Sequence, residues 1–138
     1  MTIRVASCSC GQLRVTCEGE PVRISICHCL ECQKRTGNVF ATQARFPRAA
    51  VTIEGRGTHW TRAGDSGGLC TFSFCPVCGA TVYWEPDALP DFVSVAVGAF
   101  ADPNFPPPRV SVYEDRQHSW ALAAAQLPLE HEVYPPET

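Results

Sequence analysis

The sequence predicts one mainly antiparallel β domain whose strands are clipped together by cysteine-rich loops. Three observations predict it. Apolar and polar residues alternate over short runs, the period of half-buried strands. Gly and Pro punctuate those runs at turn spacing. The cysteines gather in pairs and triplets where the runs end.

Ile3 to Gly11 begins as a short apolar stretch and closes on Ser7-Cys8-Ser9-Cys10-Gly11. An extended backbone projects Cys8 and Cys10 to one face, and Gly11 permits the turn that lets both sulfurs reach one ion. Leu13, Val15 and Cys17 then alternate with polar residues, which predicts a strand with Cys17 packed as a small apolar core residue. Gly19-Glu20-Pro21 turns the chain into a further strand, Val22 to Ile26, which delivers Cys27-His28-Cys29-Leu30-Glu31-Cys32 at its end. The polar run Gln33 to Asn38, with Gly37, predicts a single helical turn or loop.

Strand character resumes from Phe40 to Phe46 and stops at Pro47. Val51 to Trp60 predicts another strand, broken at Gly55-Arg56-Gly57, and Ala63 to Gly68 is rich in turn residues. From Leu69 to Cys75, Cys70, Phe72 and Phe74 share the apolar face, which assigns Cys70 to the core. Cys75-Pro76-Val77-Cys78-Gly79 predicts a metal knuckle, a turn whose amides point at its sulfurs and whose Gly79 relieves the bend. A redox use of this pair lacks the βαβ context it would need. Thr81 to Trp84 continues as a strand, Phe92 to Phe100 alternates cleanly, and Arg109 to Glu114 is expected to be the last strand. The proline-rich stretch 102–108 between them is a surface loop. Ser119 to Gln126 is Ala-rich enough for a turn or two of helix. The core is expected over about residues 3–125, with 126–138 a loose tail.

Size and charge narrow the function. A chain of 138 residues fits one domain, and at about that length roughly 70% of the unfolded surface is buried, so disulfides are not needed for folding. A net charge of -3 with scattered Lys and Arg gives no footprint for nucleic acid. No run approaches the length of a bilayer span and no leader-like segment is evident, so a cytoplasmic protein with no membrane partner is expected. Nine cysteines in such a setting point to metal thiolates.

Setting Cys17 and Cys70 aside leaves Cys8, Cys10, Cys27, Cys29, Cys32, Cys75 and Cys78. Four and three is the natural division, the CxC and CxxC pairs closing a tetrahedral site and CxCxxC leaving a fourth position open. Spacing also allows Cys27, Cys29 and Cys32 to recruit one further thiol. His28 is expected to point away from a metal shared by its neighbours and to take a supporting or surface role. His59, His118 and His131 have no partner at ligand spacing. Glu31, Gln33, Lys34 and Arg35 lie beside the open site, where a cation could attract a carboxylate-bearing thiol or simply face solvent, and Thr36-Gly37-Asn38 could shape a pocket mouth.

The order CxCG, CHCxxC with a following basic residue, and FCxxCG resembles the glutathione-dependent formaldehyde-activating enzymes and the related centromere-protein-V domain. The likeness covers roughly residues 5–125, including Gly98 to Pro103 and Trp120. It implies a β-tent of packed antiparallel sheets, a structural zinc on Cys8, Cys10, Cys75 and Cys78, and a second, more labile catalytic zinc on Cys27, Cys29 and Cys32. It also implies a carbon–sulfur lyase activity on an adduct of formaldehyde with a small thiol such as glutathione. The competing expectation is a non-catalytic, zinc-stabilised binding module. The oligomeric state is left open by the sequence.

Overall fold

The computed structural model describes residues 1–64, 67–122 and 128–133. Strands β1 (Ile3–Ser7), β2 (Arg14–Glu18) and β5 (Val51–Glu54) form a three-stranded antiparallel sheet in the order β1-β2-β5. The remaining strands are β3 (Arg23–Cys27), β4 (Ala41–Pro47), β6 (Thr58–Ala63), β7 (Leu69–Phe74), β8 (Thr81–Pro86), β9 (Phe92–Ala96), β10 (Val110–Val112) and β11 (Glu130–Glu132). They form an eight-stranded sheet ordered β11-β10-β3-β4-β9-β8-β7-β6. The expected mainly β architecture of packed sheets is what the chain adopts.

The alternation read in the sequence explains the packing. Leu13, Val15 and Cys17 turn inward from the small sheet and meet Ala44, Phe46, Val82, Val93 and Val95 of the large one, all fully buried. A second, smaller apolar cluster lies at the end of β3, where Ala41, Val110 and Val112 surround Cys27, Cys29 and Cys32. Cys27 is in register with Ala41 on one side and Val112 on the other, so the strand that delivers the thiols is paired on both edges.

Several boundaries differ from expectation. Val51 to Trp60 is not one interrupted strand: the break at Gly55-Arg56-Gly57 carries the chain from the small sheet to the large one. Gln12 holds that crossing by donating to Arg56 O at 2.8 Å and accepting from Arg56 N at 2.9 Å. The strand expected to reach Phe100 stops at Ala96, and Val97–Phe100 is a 3-10 turn that tucks Phe100 between Phe46 and Phe105. Alternation alone could not see that an aromatic cluster, rather than a neighbouring strand, takes those residues. The large sheet is also not wholly antiparallel, because β10 runs parallel to both β3 and β11. The long connection from β9 to β10 supplies the crossover that parallel pairing requires.

The expected last strand and loose tail need correction too. Within 126–138, Glu130–Glu132 is strand β11. Glu130 N donates to Arg109 O at 2.8 Å, and Arg23 makes a bidentate pair with Glu132 at 3.0 and 2.8 Å. A short polar triplet gives no sequence signal because its strand character comes from its partners. Of the helix expected over Ser119 to Gln126, residues 119–122 form turns and 123–126 lie outside the described residues, as do residues 65–66 of the glycine-rich turn. Among the described residues no helix is long and apolar enough to cross a membrane.

Two outcomes follow from the crossing and the tail. A Cβ at Gly55, where φ is +94°, would lie 1.9 Å from Gln12 O, whereas one at Gly37 would meet nothing within 4 Å. Gly55→Ala should therefore lower stability in urea titrations by more than about 2 kcal/mol, and Gly37→Ala by only about 1 kcal/mol. Hydrogen exchange should find the Glu130 amide protected; exchange at the rate of an unstructured peptide would contradict the β11 pairing.

Candidate metal centres

The first cluster joins two tight turns. In the turn after β1, Gly11 N donates to Cys8 O at 3.0 Å and Leu13 N reaches Cys8 Sγ at 3.3 Å, with Gly11 at φ +85°. In the turn after β7, Gly79 N donates to Cys75 O at 2.9 Å, and Val77 N and Cys78 N approach Cys75 Sγ at 3.3 and 3.5 Å. The turns face each other, with Cys8 Sγ to Cys10 Sγ and Cys10 Sγ to Cys75 Sγ both 3.6 Å. The thiol atoms of Cys8, Cys10, Cys75 and Cys78 all lie within 4.8 Å of one another.

That spacing fits a shared ion. Sulfurs on a tetrahedral ion with bonds of about 2.3 Å stand about 3.8 Å apart, while a disulfide needs about 2.05 Å. The surroundings favour thiolates at two positions. Burial works against an ionised Cys75, but the Cys78 amide, the Gln12 side chain at 3.0 Å and the Val77 amide outweigh it and bring its pKa down to about 6. Amides of Ala80 and Cys10 lower Cys78 in the same way. Gln12 therefore ties this centre to the crossing between the sheets, a role no local pattern announces.

The second cluster brings together Cys27, Cys29 and Cys32, again within 4.8 Å. Cys27 closes β3, and Cys29 and Cys32 belong to helix α1 (Leu30–Thr36), which begins earlier than the turn expected after Cys32. Its N-cap is Cys29, whose Sγ accepts from Cys32 N at 3.2 Å, and Gly37, at φ 68°, ends it by donating to Gln33 O. A thiol in the place usually held by Ser or Asp hides the start of such a helix from sequence rules. Hydrogen bonds from Cys27 and Cys32, with the Cys32 amide and Arg62, overcome burial and draw Cys29 down to about 2. Bonding to its neighbouring thiols and burial push Cys27 up. Cys27 Sγ and Cys32 Sγ are 3.5 Å apart, and no fourth Cys, His, Asp or Glu among the described residues joins them.

Two arginines border this trio. Arg62, on β6, places Nη2 3.7 Å from Cys32 Sγ and its guanidinium carbon 4.9 Å from the Phe72 ring centre. Arg35 lies 4.7 Å from Phe72 and 4.4 Å from Trp84, so it stacks on aromatic faces instead of standing in solvent. Lys34, by contrast, is exposed and pairs with Glu31 at 3.3 Å. Cys70 is not a core residue: it is half-buried, in register with Arg62, and burial chiefly raises its pKa to about 11. β7 is buried only at Phe72 and Ser73, and Cys70 stands near its open start, next to exposed Leu69. Arg62 carries no motif, and only the strand pairing brings it to Cys32.

A cleft of about 750 Å³ is lined by Cys8, Gly79, Arg35, Thr36, Asn38 and Trp84 among others. A second, of about 610 Å³, has Phe72, Phe74 and Trp60 beside Lys34 and Arg35. Arg35 lines both. Thr36 and Asn38 line the first cleft, which borders Cys8 of the other cluster and not the trio beside which a pocket mouth was expected. Gln33, foreseen only as a neighbour, joins α1 to the C-terminal segment by donating to His28 O and Arg116 O at 2.9 and 3.1 Å.

Three of the histidines are exposed and hydrogen-bonded, and only His28 is buried. His59 Nδ1 is 2.8 Å from Ser73 Oγ, His118 Nε2 is 3.0 Å from Gln33 Oε1, and His131 pairs with Glu114. His28 is not at the surface but fully buried, with Nε2 3.1 Å from Ser111 Oγ. Burial lowers its pKa below the ordinary 6.5, so the folded ring stays neutral where the unfolded one binds a proton. Stability then rises with pH through that window and is lost on acidification below about 6.5, by at most about 1.4 kcal/mol per pH unit. His28→Gln should flatten this part of the pH–stability curve; an unchanged slope would contradict a neutral buried ring.

A crystal structure of a Rhodobacter sphaeroides protein, a structural-genomics target, superimposes with a TM-score of 0.55 at 18% identity, over 75% of this chain and 91% of that one, a likeness of fold. No curated protein sequence matches the chain. The sequence profile of the family described as glutathione-dependent formaldehyde-activating enzyme matches residues 3–116. Most of the chain, including both thiol clusters, lies within that match, and the protein belongs to the glutathione-dependent formaldehyde-activating enzyme family.

Proposed function

We propose that this protein is a zinc-dependent carbon–sulfur lyase that makes or cleaves a thiol–aldehyde adduct such as S-hydroxymethylglutathione. The observation that carries the reading is the incomplete buried trio of Cys27, Cys29 and Cys32, three soft ligands at tetrahedral spacing beside two guanidinium groups. Three protein ligands with an open position is the arrangement of catalytic zinc, whereas four thiolates close a structural one. On this reading Cys8, Cys10, Cys75 and Cys78 hold the structural ion.

Zinc held by the trio supplies Lewis acidity and lowers the pKa of a thiol that binds there. In the condensation, the thiol sulfur attacks the aldehyde carbon, the carbon–oxygen π pair moves to oxygen, and that oxygen takes up the proton the thiol gave up. Cleavage is the reverse. Burial of the trio, with exposures of 8%, 6% and 8%, limits competing water. Arg35 and Lys34 on α1 face a cleft able to receive the carboxylates of a small thiol such as glutathione.

Three-thiolate zinc is electron-rich and weakly held, so the two centres should differ in lability. The expected result is two zinc equivalents, one removed readily by chelator. Cys29→Ser should lose that equivalent and the activity while unfolding cooperatively, whereas Cys75→Ser should compromise folding itself. NMR exchange between free and hydroxymethylated glutathione should quicken with zinc-loaded protein; no acceleration over buffer with any of several thiols would sink the lyase reading. One tight zinc and indifference to Cys29→Ser would instead favour a zinc-stabilised binding module.

A further inference from the structure

Arg14 and Arg48, at the surface, have carboxylate partners, Glu54 and Glu85. Arg62 is different. Among the described residues it has no carboxylate partner, its Nε is buried without an acceptor, and its Nη2 lies 3.7 Å from Cys32 Sγ, one of the three clustered sulfurs. Phe72 holds the guanidinium from the side, at 4.9 Å, and pairing of β6 with β7 fixes its backbone opposite Cys70. A cation kept half out of water without a carboxylate is costly unless another negative charge answers it.

Three thiolates around a divalent ion carry one net negative charge, and a fourth thiolate would add another. Like charges crowded in a site of low dielectric repel strongly, so a cation beside the trio eases the entry of an anionic fourth ligand. We propose that Arg62 is a positioning residue of the second thiol centre, whose charge beside Cys32 lets the open position accept an incoming thiolate in preference to a neutral ligand. The inference rests on the open-site reading above and extends it from the substrate's carboxylates to its sulfur. Its substrate class is any small thiol able to ionise, with or without carboxylates. Arg35 and Lys34 remain the groups placed to recognise the rest of the molecule.

Cobalt(II)-substituted protein tests this by binding alone, through the sulfur-to-cobalt charge-transfer band as thiol is added. Glutathione and 2-mercaptoethanol are the two probes, one with carboxylates and one without. Wild type should show a saturable change with both. Arg62→Met should weaken both by about tenfold, the order of one charge-assisted contact, and Arg62→Lys should recover most of the loss. Equal binding by wild type and Arg62→Met would overturn the proposal, as would a loss confined to glutathione, since Arg62 would then be reading carboxylate. A folded Arg62→Met that no longer keeps its second cobalt would also count against it, the charge being needed by the protein's own thiolates. If Arg62→Met does not fold, Arg62→Gln carries the same comparison. Two bound cobalt ions with no thiol response in wild type would sink the open-site reading itself.

Discussion

Four sulfurs drawn together from turns far apart in the chain are the contact on which the rest of this structure depends. Cys10 and Cys75 are 65 residues apart in sequence and 3.6 Å apart in space. One turn follows the first strand of the small sheet and the other follows β7 of the large sheet, so the cluster fixes how the two sheets meet. Gln12 extends that constraint by bonding Cys75 Sγ and both polar backbone atoms of Arg56 at the crossing between sheets. Core side chains such as Leu13, Val15 and Phe46 pack together between the sheets so related.

The second cluster answers to different demands. It sits in its own apolar nest at the end of β3, and nothing in the main core touches it. Three features place charge there. The Cys29 thiol caps a helix start, where aligned amides favour an anion. Arg62 approaches Cys32, and Arg35 stacks between Phe72 and Trp84 close by. The guanidinium groups are held on aromatic faces, which lets them stay oriented without a carboxylate to neutralise them.

Helix α1 links the two demands. It carries Cys29 and Cys32 inward and Lys34 and Arg35 toward the clefts, while Gln33 pins it to the segment following β10. The C-terminal strand β11 then completes the edge beside β10, which itself flanks the thiol-bearing strand β3. The order of the sheet thus brings the end of the chain to support the centre built near its start.

Sequence by itself determined the strand-rich class and the inward face holding Leu13, Val15 and Cys17, because these rest on local periodicity; spacing left more than one grouping of the thiols open, and the fold brings them together as four and three. Only the tertiary structure decided the rest. Cys70 left the core because it lies at the open start of β7 opposite Arg62, Phe100 left its strand for an aromatic cluster, and Glu130–Glu132 became a strand through Arg109 and Arg23. Arg62 reached Cys32 through the pairing of distant strands. Pairing, burial and charge proximity are relations between segments far apart in the chain, and a local pattern holds no record of them.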